Sequence, residues 1–135
     1  MKIIAIASPA GGVGKTTLAH AISVAAAEFG KKTLLIDLDP AGALTFRLGF
    51  ENPRLTITDY LTGTSLSSEQ LNLTTERFAF IAADSRLTTN LNEDALSVFL
   101  KSLSEPFDLV VLDVAPSLTQ SLKMALSVAD HIFTP

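Results

Sequence analysis

The chain opens on an apolar run. Ile3, Ile4, Ala5, Ile6 and Ala7 follow Lys2 with no polar position between them. A strand that is apolar on both faces belongs in the middle of a parallel sheet, so the pattern predicts a first strand over 2–8. The same run looks like a small secretory leader with an A-x-A end, but it is too short and gives way at once to glycines. Pro9 to Gly14 reads as a loop. From Lys15 to Phe29 the period changes: Leu18, Ile22, Ala25, Ala26 and Phe29 fall on one helical stripe. Gly30 is the expected stop, and Lys31 and Lys32 suit the negative end of the helix dipole. Thr33–Asp37 reads as a second strand, and Asp39-Pro40-Ala41-Gly42 carries turn chemistry.

Between Ala43 and Leu73 the periodicity weakens to two short helical pieces, over 57–61 and 67–71. A strand is expected over 77–82. An amphipathic helix follows over 92–103, with Leu96, Phe99, Leu100 and Leu103 on one face. Phe107–Leu112 is a strongly apolar strand that ends in Asp113. A helix over 117–129 and a strand from His131 to Phe133 complete the pattern. Strands alternating with helices predict an α/β fold, a doubly wound and mostly parallel sheet with helices on both faces. One domain is expected over 1–135. An apolar strand with nothing after it would leave a sheet edge uncovered, so the expectation is the N-terminal portion of a longer domain.

Composition narrows the chemistry. The 135 residues are 47% hydrophobic and 18% charged, with a net charge of −4, which is globular rather than disordered. The ten Lys and Arg are scattered, and no basic stripe exists to follow a row of nucleic-acid phosphates. With no cysteine, disulfides, zinc-thiolate sites and iron–sulfur clusters are excluded for this segment. No apolar stretch approaches the ~20 residues that span a bilayer. A soluble, cytoplasmic protein is the expectation.

The candidate chemistry begins at Gly11-Gly12-Val13-Gly14-Lys15-Thr16-Thr17, between a predicted strand and a predicted helix. That is the context of a P-loop. Glycines let successive N–H groups face one anionic centre, and the helix N-terminus adds positive partial charge. Lys15 would reach the β- and γ-phosphates, and the Thr16 hydroxyl is a hard oxygen for Mg²⁺. Pro9 occupies the first glycine position of the full G-x-x-x-x-G-K-[ST] pattern. The plainer alternative is a glycine-rich turn with a surface lysine. Asp113, at the end of a strand, fits a magnesium-side carboxylate, or else caps the next helix. Asp37 and Asp39 end the second strand. Two carboxylates so close repel unless a cation or donors intervene, which suits one acid orienting water and the other serving magnesium as an outer-shell partner. Otherwise Asp37 caps a turn. His20, His131, Tyr60 and the eight Phe have no partner spacing for metal or nucleophilic chemistry and read as packing.

Three segments together, Gly11–Thr17, Leu34-Leu35-Ile36-Asp37-Leu38-Asp39-Pro40 and Asp108–Ser117, resemble the ParA/MinD family of deviant Walker ATPases in the family's own order. The likeness runs through essentially the whole chain. It implies a P-loop NTPase-like fold, ATP and Mg²⁺ as ligands, and slow hydrolysis coupled to a switch between monomer and homodimer. Carried over, Lys15 and Thr16 are the phosphate and magnesium residues. Asp39 matches the carboxylate that orients attacking water, Asp113 the magnesium-linked acid, and Asp37 the first acid of the D-x-D pair. Lys15 and Asp39 would thus be catalytic, and Thr16, Asp37 and Asp113 the metal-side residues. The family's signature lysine would stand just before Gly11, where this chain has Ala10. Members of the carboxysome-distribution branch also lack it.

The resemblance implies a positioning ATPase that moves a plasmid, a chromosome region or a protein assembly. It also implies a small adaptor or activator protein, and DNA contacts through regions outside this chain. The alternatives on the same fold are a metabolic or transport ATPase, such as a ligase-like synthetase, and a nucleotide-binding scaffold without turnover. Adenine is implied by the resemblance alone, because these residues carry no base-reading motif.

Overall fold

Six strands form one sheet in a computed structural model that describes residues 1–7, 15–50, 53–66, 72–73, 76–88, 90–103, 106–115 and 120–134. Five of them run parallel: β1 (Lys2–Ile6), β2 (Thr33–Leu38), β4 (Ala79–Ile81), β5 (Leu109–Val114) and β6 (His131–Phe133). The two-residue β3 (Asn72–Leu73) pairs antiparallel with β4, and the sheet order is β3-β4-β2-β5-β1-β6. The central strand β2 is buried along its whole length, as its uninterrupted apolar run requires.

Strand alternation sorts the core into two layers. Leu34, Ile36 and Leu38 of β2, with Val110, Leu112 and Val114 of β5, pack on one face. Helices α3 (Ile57–Leu61), α4 (Ala95–Lys101) and α5 (Gln120–Val128) cover that face through Tyr60, Leu96, Phe99 and Met124. Leu35 and Val111 point the other way, with Ile4, Ile6, Phe78 and Phe80, toward α1 (Lys15–Glu28) and α2 (Ala43–Arg47). Each large side chain fully buried in this way contributes about 1.5–3 kcal/mol of hydrophobic stabilisation.

The elements depart from the sequence pattern where short-range geometry takes over. On α1 the buried positions are Ala19 and Ser23, whereas Ala25 is exposed and Phe29 is 84% exposed beyond the last turn. The packed stripe therefore sits nearer Ala19, Ile22 and Ser23 than expected. Gly30 closes the helix at φ 79°, its N–H bonded to Ala27 O and that of Lys31 to Ala26 O. The helix expected over 92–103 contracts to α4, because the Asn92 side chain and carbonyl hold the Asp94 and Ala95 amides in an entry turn. Arg77, expected within a strand, has φ 71° and turns the chain into β4. Helix α2 was not expected at all: five residues are too few to show a period. The piece expected over 67–71 and the loop over 9–14 lie outside the described residues.

At the far edge, β6 is exposed along its length, with Ile132 and Phe133 about half exposed.

Candidate functional site

All parallel strands deliver their carboxyl ends to one rim, where α/β sheets place ligands. The register is specific there: Asp113 of β5 stands opposite Ile6 of β1 on one side and Asp37 of β2 on the other. Asp37 and Asp113 lie two residues beyond Leu35 and Val111, so alternation turns both carboxylates toward the α1–α2 face. Both residues are fully buried.

Helix α1 begins at Lys15 on this rim. In its first turn, the Thr16 hydroxyl donates to Asp113 Oδ2 at 3.2 Å. A hydroxyl and a carboxylate from elements 97 residues apart thus converge on one point. Thr17, next along the helix, turns to solvent and accepts a hydrogen bond from Arg47 Nη1 at 2.8 Å. Of the phosphate segment, Gly11, Gly12, Val13 and Gly14 lie outside the described residues, as does Ala10.

Asp37 is held by donors from the turn after β2 and from α2. Its Oδ1 accepts the Asp39 amide at 2.9 Å, and its Oδ2 accepts the Thr45 amide at 3.0 Å and the Thr45 hydroxyl at 2.8 Å. Burial pushes its carboxyl up to about 7 against the hydrogen bonds from Asp39 and Thr45, and the neighbouring Asp113 charge pushes the same way. Both oxygens are engaged inward. These contacts anchor the start of α2 to the end of β2.

Asp39 lies just past the end of β2 and is half-buried. Its Oδ1 accepts the Ala41 amide at 2.9 Å, and its carbonyl accepts the Gly42 amide at 2.9 Å. This side-chain-to-backbone turn fixes the carboxyl group while leaving Oδ2 without a protein partner among the described residues. One acid thus faces inward and the other stays accessible at the rim.

Two groups near the rim escaped the sequence reading. Thr45 donates to Asp37 and also accepts the Ala83 amide at 2.9 Å, tying α2 to the ends of both β2 and β4. The only signal in the sequence was a polar residue among apolar neighbours. The second group surrounds Asp84, just beyond β4. Its carboxylate accepts from the hydroxyls of Thr56 and Thr58, each at 3.0 Å, and from Arg86 Nε at 2.8 Å. Arg86 also pairs with Asp59 at 3.0 Å. His20 bonds Glu76 at 2.7 Å and meets Phe78 edge-on, a packing role. Tyr60 stacks on Phe99 in the core. Among the described residues no cluster of three or more His, Cys, Asp or Glu could hold a metal, and no helix is long and apolar enough to cross a membrane.

A family model described as an AAA domain matches residues 1–135. The chromosome-partitioning ATPase Soj of Thermus thermophilus is 36% identical over 135 residues, covering 98% of this chain and 53% of that protein. The maintenance of carboxysome distribution protein A of Synechococcus elongatus is 31% identical over 145 residues, covering 100% of this chain and 58% of its own length. Among solved structures, the cobyrinic acid a,c-diamide synthase of Mycobacterium smegmatis with bound ATP analog and magnesium superposes with a TM-score of 0.90 at 32% identity. That match covers 100% of this chain and 59% of the synthase. The chain spans about half the length of the curated relatives it matches.

Proposed function

The chain belongs to the AAA-domain family in its ParA/MinD form, and from that premise we propose that it binds Mg·ATP at the strand-end rim and hydrolyses it slowly. The nucleotide state would control a homodimer that positions a plasmid, a chromosome region or a protein assembly. A small adaptor protein, and DNA held by regions outside this chain, would complete the system.

The observation that carries this reading is the approach of the Thr16 hydroxyl to Asp113 at the first turn of α1. Both are hard oxygens, the donor chemistry that Mg²⁺ prefers, so the residues present fit that ion. When bound, Mg²⁺ would neutralise charge on the β- and γ-phosphates. Thr16 would ligate it, and Asp113 would hold it directly or through water. Asp37 would serve it only indirectly, by fixing the turn that carries Asp39. Backbone amides of Gly11 to Thr17 and the α1 dipole would grip the phosphates, with Lys15 on the terminal pair. Asp39, partly exposed and with one oxygen uncommitted among the described residues, would orient the attacking water. Catalysis would then be positioning and charge neutralisation.

Nucleotide-binding calorimetry on Lys15→Ala tests the reading: Mg·ATP binding should vanish, and near-normal affinity would overturn it. A second reading, a synthetase on the same fold, is favoured by the likeness to the diamide synthase. An ATP-dependent small-molecule product would decide for it.

A further inference from the structure

Arg47 brings a second positive group to the first turn of α1. Its guanidinium rests on the Thr17 hydroxyl at 2.8 Å, over the first turn of α1. That end of a helix already carries the positive half of the macrodipole and its uncommitted N–H groups, and Lys15 belongs to the same turn. The chain has fourteen acidic residues against ten basic ones, yet no carboxylate lies within ion-pair distance of Arg47 among the described residues. Arg86, by contrast, is paired with both Asp59 and Asp84. An arginine bonded to a neutral hydroxyl at the positive end of a helix is a local conflict of the kind that marks functional positions.

The placement is also held from behind. Arg47 ends α2, where the negative end of that short helix suits a cation. Thr45, two residues earlier, locks α2 to Asp37 and Ala83 through bonds of 2.8–3.0 Å. The guanidinium is therefore presented on a braced element rather than on a wandering side chain. The first turn of α1 then has two flanks, with Thr16 turned to Asp113 and Thr17 turned to Arg47.

We propose that Arg47 is a phosphate ligand of the bound nucleotide, supplying the counter-charge on the flank opposite Asp113. The inference rests on the nucleotide reading above. Lys15 and the magnesium side address the β- and γ-phosphates and the loop amides the α/β pair; Arg47, on the Thr17 flank away from Asp113, takes a further oxygen of the phosphate nearest the nucleoside. That phosphate is common to ATP and ADP. Arg47 adds affinity equally to both and slows release of the product, and its planar fork suits phosphate better than a lysine would.

The test is calorimetric titration of the full chain with Mg·ATP and Mg·ADP, using wild type, Arg47→Ala, Arg47→Lys and Lys15→Ala, with thermal midpoints measured without nucleotide. Arg47→Ala should weaken both nucleotides by about tenfold or more, and Arg47→Lys should recover only part of that. The nucleotide-free midpoint of Arg47→Ala should stay close to that of wild type, since the side chain is exposed and its charge is favoured by the end of α2 while opposed by the start of α1. Should Arg47→Ala fold poorly, Arg47→Gln removes the charge while keeping a donor, and the same tenfold loss is expected. Affinities within twofold of wild type, with Lys15→Ala inactive in binding, would overturn the role of Arg47 and leave the nucleotide site standing. A loss confined to ATP, or one that only tracks a fall in midpoint, would also overturn it. Wild-type affinity in Lys15→Ala would instead remove the site itself.

Discussion

The Thr45 hydroxyl donates to Asp37 Oδ2 at 2.8 Å, joining a short helix to the end of the central strand inside the protein. The same oxygen accepts the Ala83 amide, so a single side chain satisfies a buried carboxylate and a buried backbone donor. Thr45→Val should therefore destabilise the chain by about 1–3 kcal/mol, the cost of leaving such groups unsatisfied. Thr45→Ser should restore most of it. Thermal or denaturant unfolding of the three proteins checks this, and equal midpoints for Val and Thr would remove the brace.

Asp39 differs from Asp37 in being partly exposed, with one oxygen uncommitted among the described residues. Asp39→Ala should leave Mg·ATP affinity within a few-fold of wild type and slow turnover by about a hundredfold or more, the scale of a lost catalytic carboxylate. Phosphate release under saturating ATP measures it. Unchanged turnover would take Asp39 out of the mechanism.

Asp113 faces the Thr16 hydroxyl and neighbours Asp37 in register. Asp113→Asn keeps the shape but removes the charge. The dependence of ATP binding on Mg²⁺ should shift to concentrations about tenfold higher, in line with losses at metal-supporting groups. Nucleotide binding without Mg²⁺ should hold or strengthen, because a like charge near the phosphates is gone. An unaltered Mg²⁺ titration would count against the assignment.

The Asp84 cluster gives a pH signature of its own. Burial raises the Asp84 carboxyl, but hydrogen bonds from Arg86, Thr56 and Thr58 outweigh it and hold the group below its ordinary 3.8. The folded state then binds this proton more weakly than the unfolded chain does. The stabilisation is complete above the ordinary value and disappears as pH falls through the lower, folded value. Asp84→Asn should be less stable than wild type at neutral pH, and the gap should close as unfolding is followed below pH ~4. A gap independent of pH would show that the charge contributes nothing.

Asp37 shows how far a motif can be read without its surroundings. The pairing of Asp37 with Asp39 was legible, as was their position at a strand end. Their different settings were not. They depend on which carboxylate the Thr45 amide and hydroxyl reach, and Thr45 sits on a helix too short to announce itself. Likewise, helices over 57–61 and around Leu96, Phe99 and Leu100 followed from periodicity, whereas the offset of the α1 stripe came from packing against β2 and β5.

By itself the sequence determined the alternation of strand and helix, the burial of β2, and the phosphate-type segment running into Lys15 and Thr16. These are local properties: period, apolar runs and glycine content act over a few residues. Only the tertiary structure decided that Asp113 meets Thr16, that Asp37 turns inward, and that Arg47 lies on Thr17. Those relations join residues far apart in the chain, and strand register, together with the close packing of α1 and α2 on one sheet face, sets them.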